Sequence, residues 1–580
     1  MNRPLVPSAA ILILAALMTV PPLAGGESRS EVLTLRYWQA PSTLNPHLSA
    51  GFKDHEACRI VYEPLATFDA DGNLVPVLAA EIPSRQNGGL AADGRSVTWR
   101  LKDGLRWSDG HPVTAGDVRF TYDYITHPAV DAATSASYRD VTEVTVVDDR
   151  TVRVRFEAPN PLWAAPFTGT RGMILPRHIF MPYTNAQARS APPNRAPVGT
   201  GPYRVRSFSP EEMLLIGDDL VSLVKITYVP NPFYRNGTDG LVARLVIEGG
   251  GDVMGAARAA LVTGSADFAW NLQAAMGPLR SMAEAGVGRL VILPSSNVER
   301  IVVNQTDPNR ATESGERSSL RFPHPVLSDI RVRQAVAHAV DRRSIGELLG
   351  VSEPMVTNIL VSPPRYRSLK PASPYPYDLD RARKLLAAAG WNDADGDGAR
   401  EKAGTPLRLT FQTSVNPVRK AIARIIKRYL ERIGIDVTLK MIDASVFFNG
   451  DPDNPNNFHH FYADLQQYAI GNRLPEPDIY LSYWTCDQIP QAANGWSGAN
   501  DGRWCNPDYD ARLKAATTSL DRDRRRRIFI GLNDTLVEEV AVIPLQQKSF
   551  IHGAARTLAG VELTPWDAAT WRIEKWHRAP

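Results

Sequence analysis

Cysteine is nearly absent: Cys58, Cys486 and Cys505 are the only three in a chain of 580 residues. That excludes a scaffold built from disulfides, and the lack of any Cys-x-x-Cys or Cys/His ligand spacing leaves no indication of zinc. Cys486 and Cys505 flank a Gly/Asn/Trp-rich loop. Either they pair across it in an oxidising compartment, leaving Cys58 single, or they are buried thiols. An excess of one charge is lacking too, since 65 Lys and Arg face 62 Asp and Glu. The signs are interspersed, so no polyanion and no nucleic acid is indicated as a partner. The one basic run, Arg524 to Arg527, follows Asp521 and Asp523 at a helix start and reads as a solvated face.

Catalytic signatures are missing as well. There is no Gly-x-Ser-x-Gly elbow, no His-Glu-x-x-His and no phosphate-cradling Gly-x-x-x-x-Gly-Lys, and Gly249-Gly-Gly251 has no following Lys. His459 and His460 adjoin, so in regular structure they diverge rather than chelate together. The longest early apolar run, Ile11 to Met18, is well short of the ~20 residues that a spanning helix needs. Preceded by Arg3 and followed by the small residues Ala24-Gly-Gly26, it reads as a cleaved secretory signal over residues 1–26.

What is present is an α/β grammar. The remaining chain exceeds the ~250 to 300 residues that one core serves, so at least two lobes are expected. Val418, Ile422, Ile425, Ile426, Tyr429, Leu430 and Ile433 form a helical stripe ended by Gly434. Ile435, Val437, Leu439 and Met441 then alternate as a half-buried strand. Thr145 to Phe156 reads as a hairpin turning at Asp148-Asp149. Asp329 to Leu349 and Asp380 to Ala389 read as amphipathic helices, and Gly199 and Gly201 as a tight turn entering a strand from Tyr203. Thr114, with Asp117 three positions later, reads as a helix N-cap with its capping acid.

The wording is more specific than the grammar. Gly104-Leu-Arg-Trp-Ser-Asp-Gly-His-Pro-Val-Thr-Ala-Gly-Asp-Val118 is preceded by Val61-Tyr-Glu-Pro-Leu65 and Leu74-Val-Pro-Val-Leu-Ala-Ala-Glu81. Further along come Leu44-Asn-Pro-His47, Gly199-Thr-Gly-Pro-Tyr203, Asn231-Pro-Phe-Tyr234, Leu327-Ser-Asp-Ile-Arg-Val-Arg-Gln-Ala-Val336, Ala389-Gly-Trp391 and Ile433-Gly-Ile-Asp-Val437. Together and in this order they resemble solute-binding family 5, the extracellular peptide-type receptors of ATP-binding-cassette importers. Lipid-anchored relatives carry a Cys after Leu-Ala-Gly; here Leu23-Ala-Gly25 is followed by Gly26. The expectation is a soluble periplasmic monomer, partnered by the inner-membrane permease of an importer and needing no cofactor. The alternatives are a periplasmic peptidase or other hydrolase, or a binder of a sugar, opine or metal complex.

The resemblance implies a two-lobed α/β clamp with an extra subdomain in the first lobe. Lobe one would comprise residues 32–68, 191–294 and 549–580, the inserted subdomain 69–190, and lobe two 295–548. It also implies that an aromatic-x-Ala-Asp segment supplies the acid that pairs with a peptide's amino terminus. Phe461-Tyr462-Ala-Asp464 fits that form, making Asp464 the amine anchor with Tyr462 beside it. The usual acid-Pro arrives late, as Glu476-Pro477-Asp478, so Glu476 and Asp478 stand next in line. From lobe one, Phe52, Trp270 and Asn271 would face the cleft, and Gln546 would lie near the hinge. Trp484 and Trp496 either line the pocket or pack a loop. Separately, Asp393-x-Asp395-x-Asp397-Gly398 matches the front of a calcium loop. Position twelve is Gly404 rather than an acid, with Glu401 as a partial substitute; a solvated Asp/Gly turn is the alternative.

Overall fold

The computed structural model describes residues 31–49, 51–216, 219–348, 356–370, 375–448 and 453–579; the expected signal, residues 1–26, lies outside them. Among the described residues no helix is long and apolar enough to cross a membrane.

The helix Pro417–Glu431 shows how local sequence sets local structure. Asn416 caps it by accepting from the Val418 and Arg419 amides, and Ile422, Ile425, Ile426 and Leu430 are buried. The chain leaves through Gly434 at φ 87°, a left-handed turn that glycine adopts freely, and enters the strand Asp436–Ile442. The expected hairpin is present as Val141–Asp148 paired antiparallel with Thr151–Phe156. Thr114 and Asp117 form a reciprocal capping box on the helix Ala115–Thr126.

Two local expectations change. The helix read over Asp329 to Leu349 is two helices, Ile330–His338 and Arg342–Leu348. The break falls where the His338 carbonyl accepts from the Asp378 amide instead of continuing the helix, and where Asp341 accepts from the Ser344 amide and hydroxyl to start the next one. Gly199 and Gly201 serve close approach rather than turn geometry. A Cβ on Gly199 would lie 2.1 Å from the Val61 carbonyl oxygen, and one on Gly201 2.5 Å from that of Ile60.

The elements assemble on one ten-stranded mixed sheet. Its order is Asp436–Ile442, Arg408–Ser414, Leu465–Ile470, Gly288–Val303, Val542–Ala555, Phe268–Trp270, Val32–Tyr37, Arg244–Gly249, Asp219–Pro230, Tyr203–Ile216. Val32–Tyr37 runs parallel to both of its neighbours, and Arg408–Ser414 to both of its own. The long pair Gly288–Val303 and Val542–Ala555 links these two parallel regions. Helices and loops bury separate cores on the two sides. One is built from residues between Leu33 and Trp270 together with Ala554 to Trp576. The other side has two cores drawn from Ile301 to Leu545, one around Leu409 and Ile426, one around Tyr480 and Phe529. Helix-covered parallel strands in two separately packed bodies, joined by crossing strands, make a two-lobed α/β clamp.

Candidate functional site

In open α/β sheets, ligands meet the protein beyond the carboxyl ends of the parallel strands. Here those ends, near Tyr37 and Trp270 in lobe one and Ser414 in lobe two, flank the crossing pair. The crossing itself is irregular. Pro294 pairs with Ser549 and Val298 with Gln547, so residues 295–297 stand opposite the single Lys548. Side chains fill the gap in the ladder: the Ser295 hydroxyl donates to the Lys548 carbonyl (2.8 Å), and the Gln547 amide to the Ser295 carbonyl (2.7 Å). Ser296 donates to the Asn472 carbonyl, and Gly471 lets this strand approach so closely that a Cβ would lie 2.1 Å from the Ser296 oxygen.

Lobe two brings charge to the crossing. Glu299, almost fully buried, accepts from Arg419 Nε (2.9 Å) and from the Gln467 amide (3.0 Å). Arg419 also reaches the Ser414 hydroxyl and lies 5.6 Å from the exposed Phe448 ring. On the opposite face of the same strand, Arg300 is boxed by Tyr468, Tyr480 and Trp484 and donates to the Tyr480 hydroxyl. Lobe one brings rings and neutral hydrogen bonds. Tyr37 stacks on Trp270 at 5.2 Å, and Trp38 Nε1 donates to the Asn271 carbonyl (2.9 Å). The Asn271 amide donates to His552 Nδ1 (3.2 Å), and burial pushes the His552 pKa down to about 3. An amide can only donate, so the neutral ring presents unprotonated Nδ1. Glu56 lies buried behind, accepting from the Ala569 and Thr570 amides; burial raises its pKa to about 7, above what those hydrogen bonds offset.

The residue expected to anchor an amine lies away from this crossing. Asp464 is inside lobe two, its carboxylate already bonded to His324 Nε2 (2.7 Å) and to the Thr410 amide. Its neighbour Leu465 pairs with Val303, whereas Ile470 pairs with Val298 next to the crossing. At ~3.3 Å per residue, Asp464 lies about 20 Å along the strand from the crossing. Tyr462 shares that remote end, half-buried under Arg317 and near Trp496. Trp484 packs on Arg300, and Trp496 packs on His460 at 4.0 Å. Trp270 and Asn271 are buried at the lobe-one strand ends, so their side chains form the wall's interior. Phe52 is 63% exposed and meets Phe550 of the crossing strand edge-on. Gln546 is buried opposite Glu299 in the ladder. The structure therefore gathers Phe52, Trp270, Asn271 and Gln546 near the crossing and leaves Asp464 and Tyr462 apart from them. Nothing local in the sequence marks Glu299, Arg419 and Gln467, which the fold brings together from distant segments.

A cavity of about 450 Å3 opens between the lobes, within the range of small-molecule sites. One wall carries Phe68, Leu74 and Trp163; the other carries Tyr366, Glu476, Arg522 and Arg526. Glu476 is engaged by Arg525 Nε (2.9 Å) and the Tyr366 hydroxyl (2.8 Å). Arg525 is thus a buried ion-pair member, a departure from the solvated face read for the basic run, whose other three residues are exposed. Asp478 is buried, and its pKa is raised to about 7 by burial and then by Glu476. At the rim, Arg365 donates to the carbonyls of Asp71 (2.8 Å) and Gly72 (3.3 Å), touching across the opening.

Cys486 and Cys505 form a disulfide, and Cys58 is buried and single. Asp393, Asp395 and Asp397 cluster within 4.8 Å, but their oxygens accept from the Gly396, Gly398, Asp397 and Ala399 amides, and Glu401 accepts from that of Ala394. That is the bonding of an Asp-rich turn. His459 and His460 diverge, to Asp501 and Asn457.

Comparison with known proteins decides the family. Residues 73–492 match the model of bacterial extracellular solute-binding proteins, family 5. The chain belongs to that family. The oligopeptide-binding protein AppA of Bacillus subtilis is 24% identical over 549 residues, covering 92% of this chain and 89% of the relative. Its structure in complex with a nonapeptide aligns with a TM-score of 0.67 at 21% identity, covering 95% of this chain and 99% of that one. NikZ of Campylobacter jejuni in complex with Ni(L-His) aligns with a TM-score of 0.70 at 21% identity, covering 95% and 100%. Both share the fold of this family 5 chain.

Proposed function

We propose that this protein is the periplasmic receptor of an ATP-binding-cassette importer, taking a peptide or peptide-like solute between its lobes and delivering it to the inner-membrane permease. One observation carries the reading: a cavity of ligand size is walled from both sides of a sheet whose crossing strands break register between those sides. A ligand there gains its full contacts only when both walls arrive, so its affinity biases the lobes toward closure. The name of the Bacillus subtilis relative supports a peptide.

In this reading the lobes divide at 294/295 and 548/549. The register break and the separate cores support lobe two as 295–548, apart from lobe one as 32–68, 191–294 and 549–580; the insertion 69–190 shares its core with lobe one. Export uses the signal at residues 1–26, cleaved on translocation. Phe52, the exposed ring beside the crossing, contacts ligand together with Trp163 and Tyr366 of the cavity. Mass spectrometry of solute released from the purified protein identifies the ligand. Re-adding it compacts the protein in small-angle scattering, and a peptide mixture is returned intact. Fragments of the peptides in that mixture indicate a hydrolase, and an unchanged radius of gyration at saturation removes the clamp.

A further inference from the structure

The inserted region carries a cluster that solute capture does not use. Asp109, His111 and His178 each offer one ligand atom, and these atoms lie within 4.8 Å of one another. Asp109 Oδ2 is 2.8 Å from His178 Nε2, and Asp109 Oδ1 is 3.3 Å from His111 Nδ1. The two imidazoles stack at 4.4 Å between centroids, so both rings converge on one carboxylate. Ligand bonds of ~2.0 to 2.2 Å in a tetrahedron put neighbouring ligand atoms about 3.3 Å apart. The two nitrogen–oxygen spacings, 2.8 and 3.3 Å, reach different oxygens of one carboxylate, and all three ligand atoms lie within 4.8 Å, so side-chain shifts alone would bring them around a cation that replaces the bridging protons.

The scaffold fixes the ligands from both directions. Ser108 is buried and donates its amide to the Gly199 carbonyl, and Asp109 accepts from the His111 amide, which sets the turn. The link to His178 runs through Asp117. One of its oxygens accepts from the Thr114 amide at 2.8 Å, the other from the Arg177 amide at 2.9 Å. A single carboxylate therefore holds both the segment after His111 and the residue before His178.

We propose that Asp109, His111 and His178 form a zinc site that clips the 107–111 turn to the helix Arg177–Phe180. Two imidazole nitrogens and one carboxylate oxygen form a donor set that zinc accepts, with water in the fourth position. Calcium and magnesium, which prefer oxygen ligands, are disfavoured. The site is independent of the solute reading, because none of its residues lines the interlobe cavity.

The test is calorimetric titration of zinc chloride into chelator-treated mature protein, with a thermal-shift measurement in parallel. One ion per chain is expected, with a rise in melting temperature. Asp109→Asn, His178→Gln and His111→Gln should each weaken binding about tenfold or more. The His111 side chain is 62% exposed, so its substitution leaves folding intact. His459→Gln, on the other lobe, should leave the affinity unchanged. No zinc-dependent heat, or binding that survives both His111→Gln and His178→Gln, overturns the proposal.

Discussion

At the crossing, lobe one presents Tyr37 stacked on Trp270 and a neutral His552, whereas lobe two presents Glu299 paired with Arg419 and an aromatic-boxed Arg300. The two sides of the crossing are stabilised differently. Stacked rings lose stability in proportion to the volume removed, and tolerate loss of a polar atom that has no partner. A buried ion pair behaves the other way: its net contribution is small, but removal of one member strands the other in a medium that cannot solvate it. Lobe two should therefore be the more sensitive wall to single charge changes.

The largest effect tests that contrast directly. Arg419→Met leaves Glu299 buried without its cation and should cost about 3 to 5 kcal/mol in denaturant unfolding. Adding Glu299→Gln should recover most of that loss, because both partners are then neutral. If the double variant is as unstable as the single one, the pair is not what distinguishes this wall.

Glu56 carries the next effect, and its sign follows from the direction of its shift. Its folded pKa, about 7, lies above the ordinary 4.5. It therefore contributes stability that is complete below pH 4.5 and is lost as pH rises through about 7. His552 has the opposite sign: depressed from 6.5 to about 3, it contributes stability present above pH 6.5 and lost as pH falls toward 3. Glu56→Gln should remove the high-pH loss only. Relative to the native protein it should gain up to about 3 kcal/mol between pH 4.5 and 8, read from paired unfolding curves. A pH-independent difference would mean that Glu56 ionises normally.

Gly72 touches both lobes. It sits at φ +78°, and a Cβ there would lie 2.8 Å from Pro475 Cβ. Gly72→Ala should hold the rim open and lower affinity for the co-purified solute about tenfold, or about 1.4 kcal/mol. Unchanged affinity would mean that this rim does not close on the ligand. The smallest effect belongs to lobe one. The Tyr37 hydroxyl is buried without a partner, so Tyr37→Phe should stay within about 0.5 kcal/mol of the native protein or exceed it.

Legibility in the sequence followed the range of the interaction. The Thr114–Asp117 cap, the Thr145 to Phe156 hairpin and the helix ending at Gly434 depend on neighbours a few residues away, and each is readable. The single helix expected from Asp329 breaks because Asp378, a residue from another segment, donates its amide to the His338 carbonyl. The placement of Asp464 was hidden for the same kind of reason. Its four-residue setting has the form of an amine anchor, but pairing of Leu465 with Val303 and Phe411 sets it deep in lobe two. The Glu299–Arg419 pair joins residues 120 apart and leaves no local signature.

The three residues facing Lys548 also set how the lobes can move. Residues 295–297 have no register partners there, so Gly288–Val303 carries surplus backbone at that point, although both strands run through the crossing as continuous elements. In the closure proposed above, that surplus can lengthen or shorten as the angle between the lobes changes. Rotation then needs changes in a few backbone dihedrals and in the serine and glutamine bonds that bridge the gap, but no rupture of the flanking ladders. The ten-stranded sheet can thus stay continuous through such a closure.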